Sequence, residues 1–432
     1  MNALIYALGV LAFVVGIAVS IGLHELGHMY PAKKFGVKVT QFFVGFGNTV
    51  WSTKRGETEY GLKSIPLGGY VKLVGMLPPA KDADPHEVRD TNTGLFTQLA
   101  TDARNAEYET VTDADMHRMF YRLPWWKKVI VMAGGPMMNV AIAIVLFAIV
   151  IMGFGALQPT TTVRAVSDCA ISDADAGRAC TDADPVTPAR LAGLEPGDVI
   201  TSFAGEPVTS WEQLSRSIRD NGNATTELGY TRDGTAKQVS ITPSVIARAD
   251  LDNPNKTVEV GFLGVRPDTE NQRGNPLDVA STVGEYGQNT AIAIVKLPAR
   301  MVDVTKAAFG AERDPEGPIG VVGASRISGE LVTFDDPSWA ERTTRVLSLL
   351  AGLNLFLALF NLIPLLPFDG GHIAGALWEA LRRGWAKVRG RPDPGFVDVA
   401  KGLPVAYGVG MVLILMSVIL VYVDIVNPVR LS

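Results

Sequence analysis

The sequence predicts a polytopic α-helical membrane protein with four transmembrane helices, a membrane-associated β segment and an exported α+β domain. Four apolar runs, at about 3 to 24, 129 to 157, 346 to 368 and 404 to 424, are long enough to cross a hydrocarbon core about 30 Å thick. The segment between the second and third runs is polar, and β-type patterning follows the first run. These three observations define the expected fold class.

The composition lies between that of a soluble enzyme and that of a membrane bundle. Hydrophobic residues make up 47% of the 432-residue chain, and the mean hydropathy is +0.19. A chain of this length is expected to form more than one folded unit. The net charge is -5 and no basic stripe of the kind that neutralises phosphates is visible, so the sequence argues against nucleic acid as a partner.

Basic residues near the ends of the apolar runs indicate how the helices are oriented. They follow the first run, precede the second and separate the third from the fourth: Lys33, Lys34, Lys38, Lys127, Lys128, Arg382, Arg383, Lys387, Arg389 and Arg391. All lie on one side if the runs alternate, and that side is then cytoplasmic. The first run lacks a basic region before it, so it is expected to stay in the mature protein. Both termini then face outward, and residues 158–345 are exported.

The first apolar run leads directly into His24-Glu25-Leu26-Gly27-His28. An HExxH motif on a helix places two imidazoles on one face, where they can share a zinc ion, with the glutamate as a base for water. The alternative is a pair of core histidines satisfied by hydrogen bonds. Burying these three polar groups at membrane depth is costly, however, and such groups are usually functional. No comparable spacing occurs at the other histidines, His86, His117 and His372.

A catalytic zinc site takes three protein ligands, so a further ligand is expected. Asp369 lies at the predicted inner end of the third run, at the depth of the HExxH motif if the runs alternate. The alternative for Asp369 is a helix-terminal carboxylate that faces water. Asp424, at the outer end of the fourth run, lies at the wrong depth. Helix-breaking residues predict a water-filled cavity beside Asp369: Pro364, Pro367, Gly370 and Gly371.

Residues 37–75 are predicted to be β structure at the inner membrane face. Thr49 to Thr53 and Thr58 to Ser64 flank an Arg55-Gly56 turn, and a third stretch runs from Gly69 to Val74. The Gly68-Gly69 pair has little side chain and would let another backbone approach closely. Residues 80–115 are polar and acidic, and we expect an irregular cytoplasmic insertion there.

The exported segment contains a pattern that resembles a PDZ domain of the kind found in bacterial proteases. Pro188 to Ile200 leads to Gly205, a helical stretch and two strand-like stretches joined by Asp233-Gly234. A PDZ groove binds an extended peptide as an added strand. The alternative is a small sheet domain that only controls access to the membrane part.

Two cysteines and a set of amphipathic patterns complete the exported segment. Cys169 and Cys180 are expected to form a disulfide in an oxidising compartment, and two free thiols are the alternative. Residues 275–345 carry helical patterns without a run long enough to span, which indicates a scaffold on the membrane surface.

The predicted organisation follows the chain from end to end. It comprises transmembrane helix 1 with HExxH (1–32), the β segment (33–78), a cytoplasmic insertion with an interfacial helix (79–127), transmembrane helix 2 (128–157), the PDZ-like domain (158–245), an exported amphipathic scaffold (246–345), transmembrane helix 3 (346–370), a cytoplasmic basic loop (371–403) and transmembrane helix 4 (404–426).

These motifs resemble the site-2 proteases, intramembrane zinc metalloproteases of the regulator of sigma-E protease type, and in particular their actinobacterial branch. The matching features are HExxH at 24–28, NxxPxxxxDG at 361–370 and Gly135-Pro136-Met137-Met138-Asn139 in the second run. They occur in family order with the β segment and the PDZ-like insertion. One departure is a single PDZ-like unit where some relatives carry two.

The resemblance implies His24, His28 and Asp369 as zinc ligands and Glu25 as general base and acid. The substrate would be a single-pass membrane protein, typically an anti-sigma factor already shortened outside the membrane by another protease. The protein would then be a multi-pass protein of the bacterial inner membrane. Its active site would lie near the cytoplasmic side and its PDZ-like domain outside.

Several residues are expected to bind that substrate. The resemblance implies that Asn361 contacts the substrate backbone and that Asn139 lines the site, although interhelical hydrogen bonding is the alternative for both. A helical substrate must unwind before cleavage, and backbone pairing with a strand could hold it extended. The residues expected at that strand are Gly68, Gly69, Tyr70 and Val71.

Two other functions are compatible with parts of the pattern. The first is a metal-transit site made by HExxH and Asp369, but transporters of that kind often show paired repeats, and none is visible. The second is a catalytically inactive scaffold that functions through its PDZ-like domain. The intact Glu25 argues against a scaffold, because such a protein has no reason to keep the base.

Overall fold

A computed structural model describes residues 2–79, 112–172, 180–181, 183–250, 257–314, 317–333 and 338–429. The chain divides into two compact units. One is made of Met1–Phe154 with Asn275–Ser432, and the other is Gly155–Gly274. Most of the insertion expected at 80–115 lies outside the described residues.

The helices are α1 (Asn2–Lys34), α2 (Trp125–Ala148), α3 (Pro188–Leu191), α4 (Trp211–Asp220), α5 (Pro276–Ala308), α6 (Val321–Leu331), α7 (Trp339–Asn361), α8 (Asp369–Val388) and α9 (Leu403–Val426). The strands are β1 (Val39–Arg55), β2 (Thr58–Leu73), β3 (Ala156–Val166), β4 (Val199–Phe203), β5 (Glu206–Pro207), β6 (Thr226–Arg232), β7 (Thr235–Ile241), β8 (Ser244–Ala249), β9 (Thr257–Phe262) and β10 (Val265–Gln272). A π-helical segment, Ile149–Phe154, continues α2.

Within the described ranges, four helices are long and apolar enough to cross a membrane. They are Ala3–Lys34, Trp125–Phe154, Trp339–Asn361 and Val399–Val426. The structure therefore has the predicted number of candidate spans. Each helix overlaps the apolar run that predicted it, because a long run can satisfy its backbone in a bilayer only as a helix.

The third of these helices differs from its predicted bounds. It begins early because Ser338 and Glu341 form a capping box, and it ends at Asn361 rather than near 368. Pro364 and Pro367 have no backbone N–H, which prevents the helix from continuing. Asp369 consequently starts the next helix, α8, instead of ending α7, and α8 occupies much of the segment predicted as a basic loop.

Small and polar residues join the helices of the first unit. The backbones of α1 and α2 touch at Gly27 and Gly134, where a side chain on either residue would overlap the other helix. Asn354 of α7 donates a hydrogen bond to Ser20 of α1 at 3.0 Å. Small residues of this kind allow membrane helices to pack closely.

Asp424, near the end of α9, is a buried residue of this unit rather than a ligand. Its Oδ1 accepts a hydrogen bond from Arg313 Nη2 at 2.9 Å, and both side chains are almost completely buried. The backbone N–H groups of Gly320 and Gly323 donate to its Oδ2. Asp424 thus ties α9 to the start of α6.

The predicted β structure between 37 and 75 is an antiparallel pair, β1 and β2. A turn at Gly56, whose φ is 63°, joins the two strands. Because β2 bends back at Gly68, β1 pairs with both halves of β2. Phe42 of β1, for example, lies opposite Tyr60 on one side and Val71 on the other. The segment from Gly69 to Leu73 is therefore one edge of the sheet.

The second unit contains a sheet in the order β10-β3-β4-β6-β7, with β5 beside β4, and a separate β8-β9 pair. Its core is formed by apolar residues of the strands and of α4, including Ile200, Phe203, Leu214 and Leu228. The unit extends to Gly274, whereas the sequence analysis ended the domain at 245. The helical scaffold expected from 246 begins only at Pro276, because β10 completes the sheet beside β3. The structure also joins Cys169 to Cys180 in a disulfide.

Candidate metal centre

The two histidines of the HExxH motif share one face of α1. Their Nε2 atoms are 3.2 Å apart, and His28 is buried with an exposed fraction of 5%. His28 Nδ1 lies 2.8 Å from the carbonyl oxygen of Val131, which can only accept a hydrogen bond. That contact assigns the ring proton to Nδ1 and leaves the lone pair of Nε2 directed at the other imidazole.

Asp369, the first residue of α8, places its carboxylate beside these two imidazoles. Its Oδ2 is 3.5 Å from His24 Nε2 and 3.3 Å from His28 Nε2. This buried oxygen has no hydrogen-bond donor within the described part of the chain. The ligand atoms of all three residues lie within 4.8 Å of one another. Three electron-rich atoms facing one point fit a cation, and two imidazoles with one carboxylate fit zinc.

Gly135 of α2 provides the space for this cluster. A Cβ atom at this position would overlap His28 Nε2 and lie 2.7 Å from His24 Nε2. The glycine therefore lets α2 approach the rings of α1 closely. Sequence reasoning placed Gly135 in a motif without assigning it this role, since the contact joins residues more than a hundred positions apart.

Glu25 lies between the cluster and the sheet edge. Its carboxylate lies near the backbone N–H of Val71. A Cβ atom on Gly69 would be 3.2 Å from Glu25 Cγ, so the small residue allows β2 to reach α1. The β2 edge thus fixes Glu25 beside the three ligand candidates.

A cavity of about 540 Å³ contains the whole cluster. Every residue that the sequence analysis assigned to substrate contacts this cavity: Asn139, Asn361, Gly68, Gly69, Tyr70 and Val71. Asn139 is 1% exposed, and its Oδ1 accepts no hydrogen bond from the described residues. An amide with a free acceptor in such a cavity can bind a peptide N–H.

His372 also lines the cavity, and sequence reasoning missed it. It follows Asp369 by one turn of α8, and a segment expected to be a loop gives no such spacing. If the residues after Asp369 had been recognised as a helix, their spacing would have placed His372 on the same face as Asp369. Val321 of α6 and Leu357 of α7 contribute apolar wall.

An HExxH cluster with a carboxylate, held among apolar helices, defines a membrane-embedded metalloprotease. Residues 12–392 match peptidase family M50. The chain is 33% identical to zinc metalloprotease Rip1 of Mycobacterium tuberculosis, over 99% of this chain and 100% of that protein. It is 28% identical to metalloprotease MmpA of Caulobacter vibrioides, over 86% of each chain. Identity to the regulator of sigma-W protease RasP of Bacillus subtilis is 24%, over 95% and 96%.

The chain belongs to peptidase family M50, the site-2 proteases. It is a zinc metalloprotease, as its sequence predicted. Family membership disfavours both alternatives, metal transit and an inactive scaffold.

Proposed function

We propose that this protease hydrolyses peptide bonds within the membrane-spanning segments of single-pass proteins. The observation that carries the proposal is the position of the cluster and of Glu25. They share one cavity with residues of three apolar helices and of a sheet edge. A peptide that reaches this cavity would meet the base, the metal ligands and a strand edge together.

The ligands in this proposal are His24, His28 and Asp369. When bound, zinc polarises the scissile carbonyl and lowers the pKa of a water to about 7. The ring proton of His28 remains on Nδ1, held by the Val131 carbonyl, so its Nε2 can act as a ligand without losing a proton.

Glu25 acts as the general base and then as the general acid. It takes a proton from the attacking water and passes it to the leaving amine. The backbone N–H of Val71 lies near this carboxylate and would help to orient it. Glu25 is absent from the group of three ligand atoms, which fits a base rather than a fourth ligand.

The edge of β2 holds the substrate in an extended form. A helical span hides its carbonyl groups in internal hydrogen bonds, so it must unwind locally before attack. The segment from Gly69 to Leu73 pairs with β1 on one side, and Gly69, Tyr70 and Val71 line the cavity. Addition of the substrate as a strand would replace the lost helical bonds. Asn361 and Asn139 would then bind the substrate backbone.

The proposed substrates are single-pass proteins such as anti-sigma factors, cut first outside the membrane. One relative is named the regulator of sigma-W protease RasP, and this name supports anti-sigma factors as the substrate class. The basic residues beside the spans favour an inner-membrane protein with the metal centre near the cytoplasmic side. The second unit would lie outside as a PDZ-like domain that binds peptide or filters substrates by size.

The proposal is tested by comparing membrane-protein fragments in cells that carry the wild type or the Glu25→Gln variant. Fragments cut within a span should be present with the wild type and missing with the variant. Identical fragment sets in the two strains would contradict intramembrane cleavage.

A further inference from the structure

We propose that Lys128 and Glu379 are positioning residues, whose ion pair holds α8 against α2 and so places the Asp369 carboxylate at the metal centre. The inference rests on the proposed ligand set. It assigns a role to two charged residues that lie outside the cavity and that the cleavage mechanism does not use.

The pair is short and buried. Lys128 Nζ lies 2.8 Å from Glu379 Oε2, and the two side chains are 8% and 2% exposed. Lys128 belongs to the first turns of α2, whereas Glu379 lies near the middle of α8. A charge-assisted hydrogen bond of this length fixes both distance and direction between the two helices.

Further contacts hold Glu379 in place. The backbone N–H of Val397 donates to the same Oε2 at 3.4 Å, and Arg383 Nη2 lies 3.4 Å from Oε1. The ring of Phe396 covers the pair, with Lys128 Nζ at 5.1 Å and the Arg383 guanidinium at 5.0 Å from its centroid. The chain after α8 thus folds back and shields the ion pair from water.

The same two helices also meet at the metal cluster. Gly135 of α2 packs on the two imidazoles, and Asp369 of α8 lies beside the same imidazoles. Glu379 lies about 15 Å further along α8, at 1.5 Å per residue. If α8 is rigid and is fixed at Glu379, the position of its first residue, Asp369, is fixed as well. A shift of α8 along α2 would move Asp369 by the same amount.

Stability alone is a weak reason for a pair of this kind. Buried ion pairs cost desolvation, and apolar residues of similar volume often replace them without loss of stability. An apolar contact, however, defines the position of one helix along another less sharply than a short, directional hydrogen bond does. The pair between Lys128 and Glu379 is directional, and this difference provides a test.

The experiment measures zinc affinity and thermal unfolding of the full-length protein in detergent, by competition with a chelator and by unfolding of the zinc-free form. Glu379→Gln and Lys128→Met should each weaken zinc binding about 10-fold, the lower end of the effect of residues that orient metal ligands. The double variant K128M/E379M should regain the unfolding temperature but not the zinc affinity. Lys128→Arg should preserve both.

A matched control comes from the buried pair of Arg313 and Asp424, whose contacts lie on α9, on the start of α6 and on the segment between α5 and α6. None of these elements carries a proposed ligand. Asp424→Asn should lower the unfolding temperature and leave zinc affinity unchanged. If the single variants do not fold, Glu379→Asp keeps the charge but shortens the side chain, and it should still weaken zinc binding.

Two results would overturn the proposal. The first is wild-type zinc affinity in the folded Glu379 and Lys128 variants. The second is full recovery of zinc affinity in the double variant together with its stability. Asp369→Ala separates this failure from failure of the ligand set. Normal zinc binding by that variant would contradict Asp369 as a ligand, whatever the ion pair does.

Discussion

At the residue scale, a local motif and one distant carboxylate account for the candidate site. The spacing of His24 and His28 is local, so the sequence alone predicts that they meet on one helix face. Asp369 could be predicted because membrane depth restricts where a third ligand can lie. Gly135 could not, since its role depends on how α2 packs on α1, and His372 was missed because the helix α8 was predicted to be a loop.

Asp369→Ala should weaken zinc retention and activity together, because it removes the oxygen proposed as the third ligand, and no other described residue joins this group. Metal analysis of the purified variant and a cleavage assay on the same sample measure both. Full zinc occupancy with normal turnover would rule out Asp369 as the third ligand.

Gly135→Ala should also weaken zinc binding, by about 10-fold, because the added methyl group would displace the imidazoles. Gly153→Ala is the matched control in the same apolar segment, where a Cβ meets nothing within 4 Å. Equal zinc affinities in the two variants would show that the close approach of Gly135 has no role in the site.

At the element scale, the sheet and the break between α7 and α8 are the informative features. Turn and β-branched residues predicted the strands of the β segment, because alternation and a glycine turn are local signals. Pro364 and Pro367 predicted a helix break but not the helix that follows it. The amphipathic pattern of α8 includes many basic residues, and charge counting alone favoured a loop.

Val71→Pro should strongly reduce cleavage of a membrane substrate, while Val71→Thr should be mild. Proline removes the backbone N–H that contacts Glu25 and distorts the edge on which the substrate would add. Zinc content should stay normal in both variants. Cleavage of an intact span at the wild-type rate by folded, zinc-loaded Val71→Pro protein would contradict the role of this edge in substrate binding.

At the scale of the whole molecule, hydropathy predicted the four spans but not the limits of the second unit. Long apolar runs are visible in the chain itself, because the bilayer sets their length. The strand β10 joins the second unit by pairing with β3, which lies far earlier in the chain, whereas β8 and β9 pair with each other. Such pairing is the part of a fold that composition does not encode.

The second unit should lose stability in acid through Asp198. Hydrogen bonds from the Arg232 guanidinium lower the pKa of this carboxyl below its usual value. Its stabilising effect is complete above the unfolded pKa of about 4 and is lost as pH falls through the lower folded value. Hydrogen exchange of β4 in the wild type and in Asp198→Asn measures this. The acid-dependent loss should be smaller in the variant, and equal losses would contradict the assignment.

The most direct test of the central claim is zinc content and cleavage measured on one preparation of Glu25→Gln protein. In the proposed mechanism Glu25 is a base beside the three ligands and not a ligand itself, so the variant should hold as much zinc as the wild type and cleave no membrane substrate. Zinc lost together with activity would contradict the assigned role, and so would cleavage that continues at the wild-type rate.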